Sequence, residues 1–182
     1  MTTLVLMIGI PGSGKSTIIQ HWGQVRRCSV ISTDQIREQL FGDAAVQGSW
    51  TLIWQEVQRQ FRDAIEQLHL KTAELAIYDA TNTRRRNRRA VIELARSVGF
   101  TQIIGVWLNP PFEVCWQRNQ TRSRQVPDVV LQKMARQLWS CPPRLREGLD
   151  LLLHYGPSAP NLPNLNALLA QFEQSALAKG CE

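Results

Sequence analysis

Lysine is scarce in this chain. Of 21 basic residues only four are lysine, at positions 15, 71, 133 and 179. Cysteine and histidine are scarce too. Cys28, Cys115, Cys141 and Cys181 show no paired spacing, and His21, His69 and His154 are scattered. That pattern excludes a disulfide framework and a zinc site and predicts free thiols in a reducing compartment. No apolar run reaches the roughly 20 residues that a membrane-spanning helix needs. The N-terminus lacks a basic start and runs straight into a glycine-rich loop, so it does not read as a secretory signal. Together these absences predict a cytoplasmic chain with no membrane contact. They leave the oligomeric state open.

What remains is an ordinary globular composition. Apolar residues make up 43% and charged residues 20% of 182 positions, enough for one domain with a full core. The net charge of +6 favours an anionic partner. Arginine's planar guanidinium suits bidentate phosphate contact better than lysine's ammonium. A bias towards arginine codons would give the same excess.

The most informative stretch is Leu4 to Thr17, LVLMIGIPGSGKST. A short apolar strand leads into Gly9-x-x-x-x-Gly14-Lys15-Ser16, the spacing of a phosphate-binding loop. Gly12, Ser13 and Gly14 let backbone N–H groups turn inward on phosphate oxygens. Lys15 brings a mobile positive charge to the β- and γ-phosphates of ATP, and Ser16 offers a hydroxyl to Mg²⁺. Thr17 follows in a helix whose positive end faces the same phosphates.

Further along, Ser29–Ser32 reads as a second strand that ends in Thr33-Asp34-Gln35-Ile36-Arg37. An acid just past a parallel strand sits on the ligand edge of such a sheet. Asp34 and Arg37, three apart, share a helical face. Asp34 equally suits a helix N-cap. The residues 50–70 form a long amphipathic helix with apolar positions at three and four spacing. Its Trp50 and Trp54 read either as core or as a platform for a base. The residues 74–78 form a third strand that carries Asp79 to the ligand edge, where an acid can hold a metal's water shell.

Arg84-Arg85-Arg86-Asn87-Arg88-Arg89 then opens a helix to about Val98. Cations there oppose the helix dipole at about 0.3–1 kcal/mol each. The run reads as a solvated face or as a nucleic-acid contact. The residues 103–108 form a fourth strand. Asn109-Pro110-Pro111 reads as a helix start, with Asn109 as cap and proline in the first turn. That helix bears Arg118 and Arg122. A polar, basic link and a second helix through Trp139 follow, either a lid over the nucleotide or a plain helical hairpin. The residues 149–155 form a fifth strand. The division predicted is a kinase domain over 1–156, with its lid at about 112–139, then a linker and C-terminal helix over 157–182.

In order, the phosphate loop, Thr33-Asp34-x-x-Arg37, Asp79-x-Thr81-Asn82, Arg118-Asn119-x-x-Arg122 with Val126-Pro127, and Glu147-Gly148 resemble the kinase domain of polynucleotide 5′-hydroxyl kinases. The match covers about residues 3 to 155. Small-molecule kinases and zeta-toxin-like kinases share parts of it. The resemblance implies a three-layer α/β P-loop fold, a five-stranded parallel sheet of order 2-3-1-4-5 flanked by helices, with a helical lid. It implies that Asp34 is the general base, that Arg37 holds the acceptor's neighbouring phosphate, and that Arg122 with Arg118 closes on the transferring phosphate. Some members carry the third strand's acid one position later, where this chain has Ala80. No phosphatase or ligase domain accompanies the kinase part, which favours a stand-alone enzyme. The expected activity is therefore transfer of the γ-phosphate of ATP to a hydroxyl, foremost the 5′-hydroxyl of a polynucleotide. The alternatives are a nucleoside, sugar or antibiotic kinase, and a nucleotide-binding regulatory ATPase.

Overall fold

The computed structural model describes residues 1–156, and the C-terminal helix expected beyond them lies outside the described residues. Within them the elements are β1 (Thr3–Ile8), α1 (Lys15–Val25), β2 (Cys28–Ser32), α2 (Thr33–Phe41), α3 (Trp50–His69), β3 (Leu75–Asp79), α4 (Arg85–Val98), β4 (Gln102–Leu108), α5 (Phe112–Gln120), α6 (Asp128–Ser140) and β5 (Leu151–Tyr155). The strands form one parallel sheet in the order β2-β3-β1-β4-β5. No described helix is long and apolar enough to cross a membrane.

Strand periodicity divides the core between the two faces. Val5 and Met7 of β1 pack with Ile18, Ile19 and Trp22 of α1. Leu4, Leu6 and Ile8 turn the other way, onto Ile53, Val57, Phe61 and Ala64 of α3, Val91 and Ala95 of α4, and Leu131 and Leu138 of α6. Both faces of β1 are covered, so its sequence is continuously apolar rather than alternating.

Four local readings are decided by the structure. Trp50 is half-exposed and stacks on Trp54, with ring centroids 6.0 Å apart, so the core stripe of α3 starts at Ile53. Helix α5 starts at Phe112, with Pro111 rather than Asn109 as its N-cap. Asn109 is held before the helix by its backbone N–H, which bonds the Tyr155 carbonyl at 2.8 Å. Asp34 is no N-cap, because Ser32 takes that position and α2 opens at Thr33. The fifth strand also begins later than expected, after a 3-10 turn at Leu145–Glu147.

Candidate active site

The phosphate loop leaves β1 at its carboxyl end and closes into α1. Gly12 and Gly14 take positive φ of 80° and 99°, conformations that glycine adopts at little cost. Gly12 is required for a second reason. A Cβ there would run into the carbonyl of Cys115, because α5 packs directly against the loop. Lys15 is buried, and its Nζ donates to the carbonyls of Gly9 at 2.8 Å and Ile10 at 3.1 Å. Burial lowers its pKa, partly offset by the nearby Asp79 and reinforced by Arg122. Ser13 Oγ is buried in the loop and without a partner among the described residues.

Two strand ends bring the acids together. Ser32 of β2 pairs in register with Asp79 of β3, and Thr33 Oγ1 donates to the Asp79 carbonyl at 3.4 Å. Asp79 is the last residue of β3. Burial raises its carboxyl pKa, Lys15 opposes that rise, and the charge of Asp34 adds to it. Asp34 lies two residues past β2, on the first turn of α2. Its Oδ1 accepts from Arg37 Nη1 at 3.0 Å, and Arg37 also bonds the Thr33 carbonyl at 3.2 Å. Arg37 is largely buried, and its Nε has no partner among the described residues.

The third side comes from the link between α5 and α6. Arg118 Nη1 reaches the Gly12 carbonyl at 3.4 Å and so lies over the loop. The charge of Arg122 acts on both Lys15 and Asp79, which places it at the same centre. Asn119 is fully buried and clamps the link by a reciprocal pair: Nδ2 donates to the Val126 carbonyl at 2.8 Å, and Val126 N–H donates to Oδ1 at 3.0 Å. The clamped link extends Arg124 to Asp34, with Nη1 3.1 Å from Oδ2. Lys15, Asp34, Arg37, Asp79, Arg118 and Arg122 thus gather at one edge of the sheet. Ser16 and Thr17 are exposed at the start of α1 there.

The arginine run divides. Arg88 is fully buried. Its Nε and Nη2 bond Glu147 at 2.7 Å each, Nη2 also bonds the Cys141 carbonyl, and Nη1 bonds the carbonyls of Asn82 and Thr83. All five guanidinium donors are used. Arg88 is therefore unavailable to a nucleic acid. The acid that compensates its position against the helix dipole stands 59 residues away. Arg88 also fixes the segment after β3, whose Thr81 carbonyl accepts from Gly9 N–H at 3.0 Å and whose Asn82 Nδ2 bonds the Met7 carbonyl at 2.7 Å. Arg84, Arg85, Arg86 and Arg89 remain exposed, Arg89 at 3.8 Å from Glu93.

Sequence reasoning missed Arg124, and it named Asn119 in a motif and Arg88 in the arginine run without finding what either holds. The first was visible only as a basic residue in the link. The roles of the others depend on contacts distant in the chain or on the folded link.

The model of an AAA domain family matches residues 4–140. The chain belongs to that family. Its phosphate loop between β1 and α1 and its five-stranded parallel sheet are those of a P-loop nucleotide-binding fold. No curated protein matches the chain significantly by sequence. Among solved structures, a chain of the Pnkp1/Rnl/Hen1 RNA repair complex is 22% identical with a TM-score of 0.61 over 76% of this chain and 44% of its own. This chain thus spans less than half of that relative. A chain from Chloroflexus aurantiacus J-10-fl is 17% identical with a TM-score of 0.63, covering 95% of this chain and 97% of that one. Shikimate kinase from Acinetobacter baumannii is 17% identical with a TM-score of 0.52, covering 100% and 96%. Likeness at these identities speaks for the fold alone.

Proposed function

We propose that the protein transfers the γ-phosphate of ATP to the 5′-hydroxyl of a polynucleotide. The observation that carries this reading is the placement of Asp34. It stands past the end of β2, beside Asp79, bound to Arg37 rather than capping its helix. An acid held by an arginine across from a phosphate loop is an acceptor device, and an ATPase without an acceptor has no use for it. Asp34 takes the proton from the acceptor hydroxyl, and Arg37 orients its carboxylate. Lys15, Arg118 and Arg122 counter the charge that builds on the moving phosphoryl group.

The loop's chemistry fits a nucleotide: inward glycines and, among the described residues, a buried serine hydroxyl with no partner and a lysine held only by carbonyls. Ser16 and Asp79 are the oxygens that would hold Mg²⁺, which brings few protein ligands of its own when phosphates supply the rest. When bound, Mg²⁺ supplies charge neutralisation on the phosphates.

One observation favours a second reading, a small-molecule acceptor. Burial of Arg88 removes one of the cations a nucleic-acid strand would follow. A transfer assay separates the readings. Radiolabelled γ-phosphate is offered with 5′-hydroxyl oligonucleotides and, separately, with nucleosides and sugars. Labelled oligonucleotide is the expected result. Label only on a small molecule establishes the second reading, and ATP hydrolysis without any labelled acceptor leaves a regulatory ATPase.

A further inference from the structure

We propose that Arg124 is an acceptor-recognising residue that exchanges partners, leaving Asp34 for a phosphate beside the acceptor hydroxyl. The inference rests on the reading of Asp34 as the acceptor-side base. Both carboxylate oxygens of Asp34 are engaged, Oδ1 by Arg37 at 3.0 Å and Oδ2 by Arg124 at 3.1 Å. A hydroxyl that is to give up its proton must reach a lone pair on one of them. Departure of one guanidinium clears that approach.

The two arginines are not equally free to move. Arg37 belongs to the same helix, bonds the Thr33 carbonyl as well, and is 14% exposed. Arg124 sits on the α5–α6 link, is 36% exposed and, among the described residues, has no other polar partner. An exposed ion pair of this kind is worth little and opens readily. Its guanidinium cannot lose its charge, so once released it seeks another anion at short range. The matching group is a phosphate attached next to the acceptor oxygen. Arg37 Nε, buried and without a partner among the described residues, supplies a second donor for that phosphate. A neutral sugar or nucleoside offers neither group an anion. Partner exchange also carries the link, with Arg122 two residues before Arg124, across the site only when such an acceptor arrives.

The test is a binding cycle without turnover. Titration calorimetry, with the donor site saturated by a non-hydrolysable ATP analogue and Mg²⁺, measures the affinity of adenosine 3′-monophosphate, a 5′-hydroxyl dinucleotide and adenosine. Arg124→Gln should weaken both phosphate-bearing probes about tenfold or more and leave adenosine unchanged, the worth of a charge-assisted hydrogen bond. Arg124→Lys should recover part of the loss. Asp34→Asn should strengthen the phosphate probes about two- to fivefold, because Arg124 no longer has to leave an ion pair. The double variant should show no such gain. Loss of the monophosphate alone identifies a terminal phosphate as the group read, and loss of both an internal one. The proposal is overturned if Arg124→Gln binds the phosphate probes as the parent does. It is equally overturned if the gain survives in the double variant, or if the parent binds neither probe. Failure of Asp34 as a base appears only in turnover, so the two failures are distinguishable.

Discussion

The two halves of the site are built differently. The donor half is backbone: a glycine-shaped loop, pressed by α5 at Gly12, with Lys15 buried and held by two carbonyls. The proposed acceptor half is side chain: Asp34 more than half exposed, bound by Arg37 from its own helix and by Arg124 from the link after α5, the fifth element beyond that helix. A backbone site tolerates little change in sequence, because its glycines are required by conformation and contact. A side-chain site on exposed ion pairs changes cheaply, since each pair contributes about 0–1 kcal/mol. The donor half is therefore the constrained one, and the acceptor half is the one that can change at little cost.

The sharpest way to break this contrast is in the donor half. Lys15→Ala should reduce phosphoryl transfer by about 10³-fold or more, because the lost contact acts on several kcal/mol of barrier. A variant that keeps more than about a tenth of the parent's turnover would remove Lys15 from the chemistry and with it the donor half as drawn.

Next in size is the buried support under both halves. Arg88→Met leaves Glu147 buried and unpaired, which costs about 3–5 kcal/mol. Thermal unfolding should shift down by about 10 °C. Replacing Glu147 with Leu in the same chain should restore most of the loss, as removal of a whole buried pair often does. Arg85→Gln should leave the transition in place. An equal effect of the two single arginine changes would contradict the division of the run.

That division also sharpens the acceptor half. If Arg85 and Arg86 meet a strand, oligonucleotide affinity falls with salt, and replacing both with Gln should flatten the slope of log affinity on log salt by about one unit. ATP affinity should not move. An unchanged slope makes these arginines a solvated face.

The smallest effect concerns Asp79. Burial raises its carboxyl pKa, so the folded chain holds that proton more tightly than the unfolded chain. Its contribution to stability is then lost as pH rises from the ordinary carboxylate value of 3.8 through the raised one, and the cost persists at neutral pH. Asp79→Asn should melt higher than the parent at pH 7, and the gap should shrink towards pH 4. A variant that melts lower at pH 7 would show that pairing with Lys15 outweighs burial.

The donor half was legible in the sequence because its requirements are local. Loop spacing, the strand before it and the helix after it all lie within Thr3–Val25. The sheet order followed from the family resemblance and stands. The acceptor half was legible in part: Asp34 and Arg37 share a face through helical spacing alone, while whether Asp34 capped its helix was left open and the structure places Ser32 there instead. What stayed hidden depends on distance along the chain. Glu147 meets Arg88 from 59 residues away, and a charge run carries no sign of which member turns inward. Arg124 meets Asp34 only because Asn119 folds the link. Asn109 and the prolines signal the start of α5, but the helix begins three residues later, at Phe112, with Pro111 as its N-cap.

The central claim is that Asp34 removes a proton from an acceptor hydroxyl. Asp34→Asn keeps the size and hydrogen-bonding capacity of the side chain and removes the base. The measurement is γ-phosphate transfer to a 5′-hydroxyl oligonucleotide alongside ATP affinity for the parent and this variant. Transfer should fall by about 10²- to 10⁴-fold while ATP affinity stays nearly the same. Transfer at the parent's rate, or an equal collapse of ATP affinity, would contradict the account.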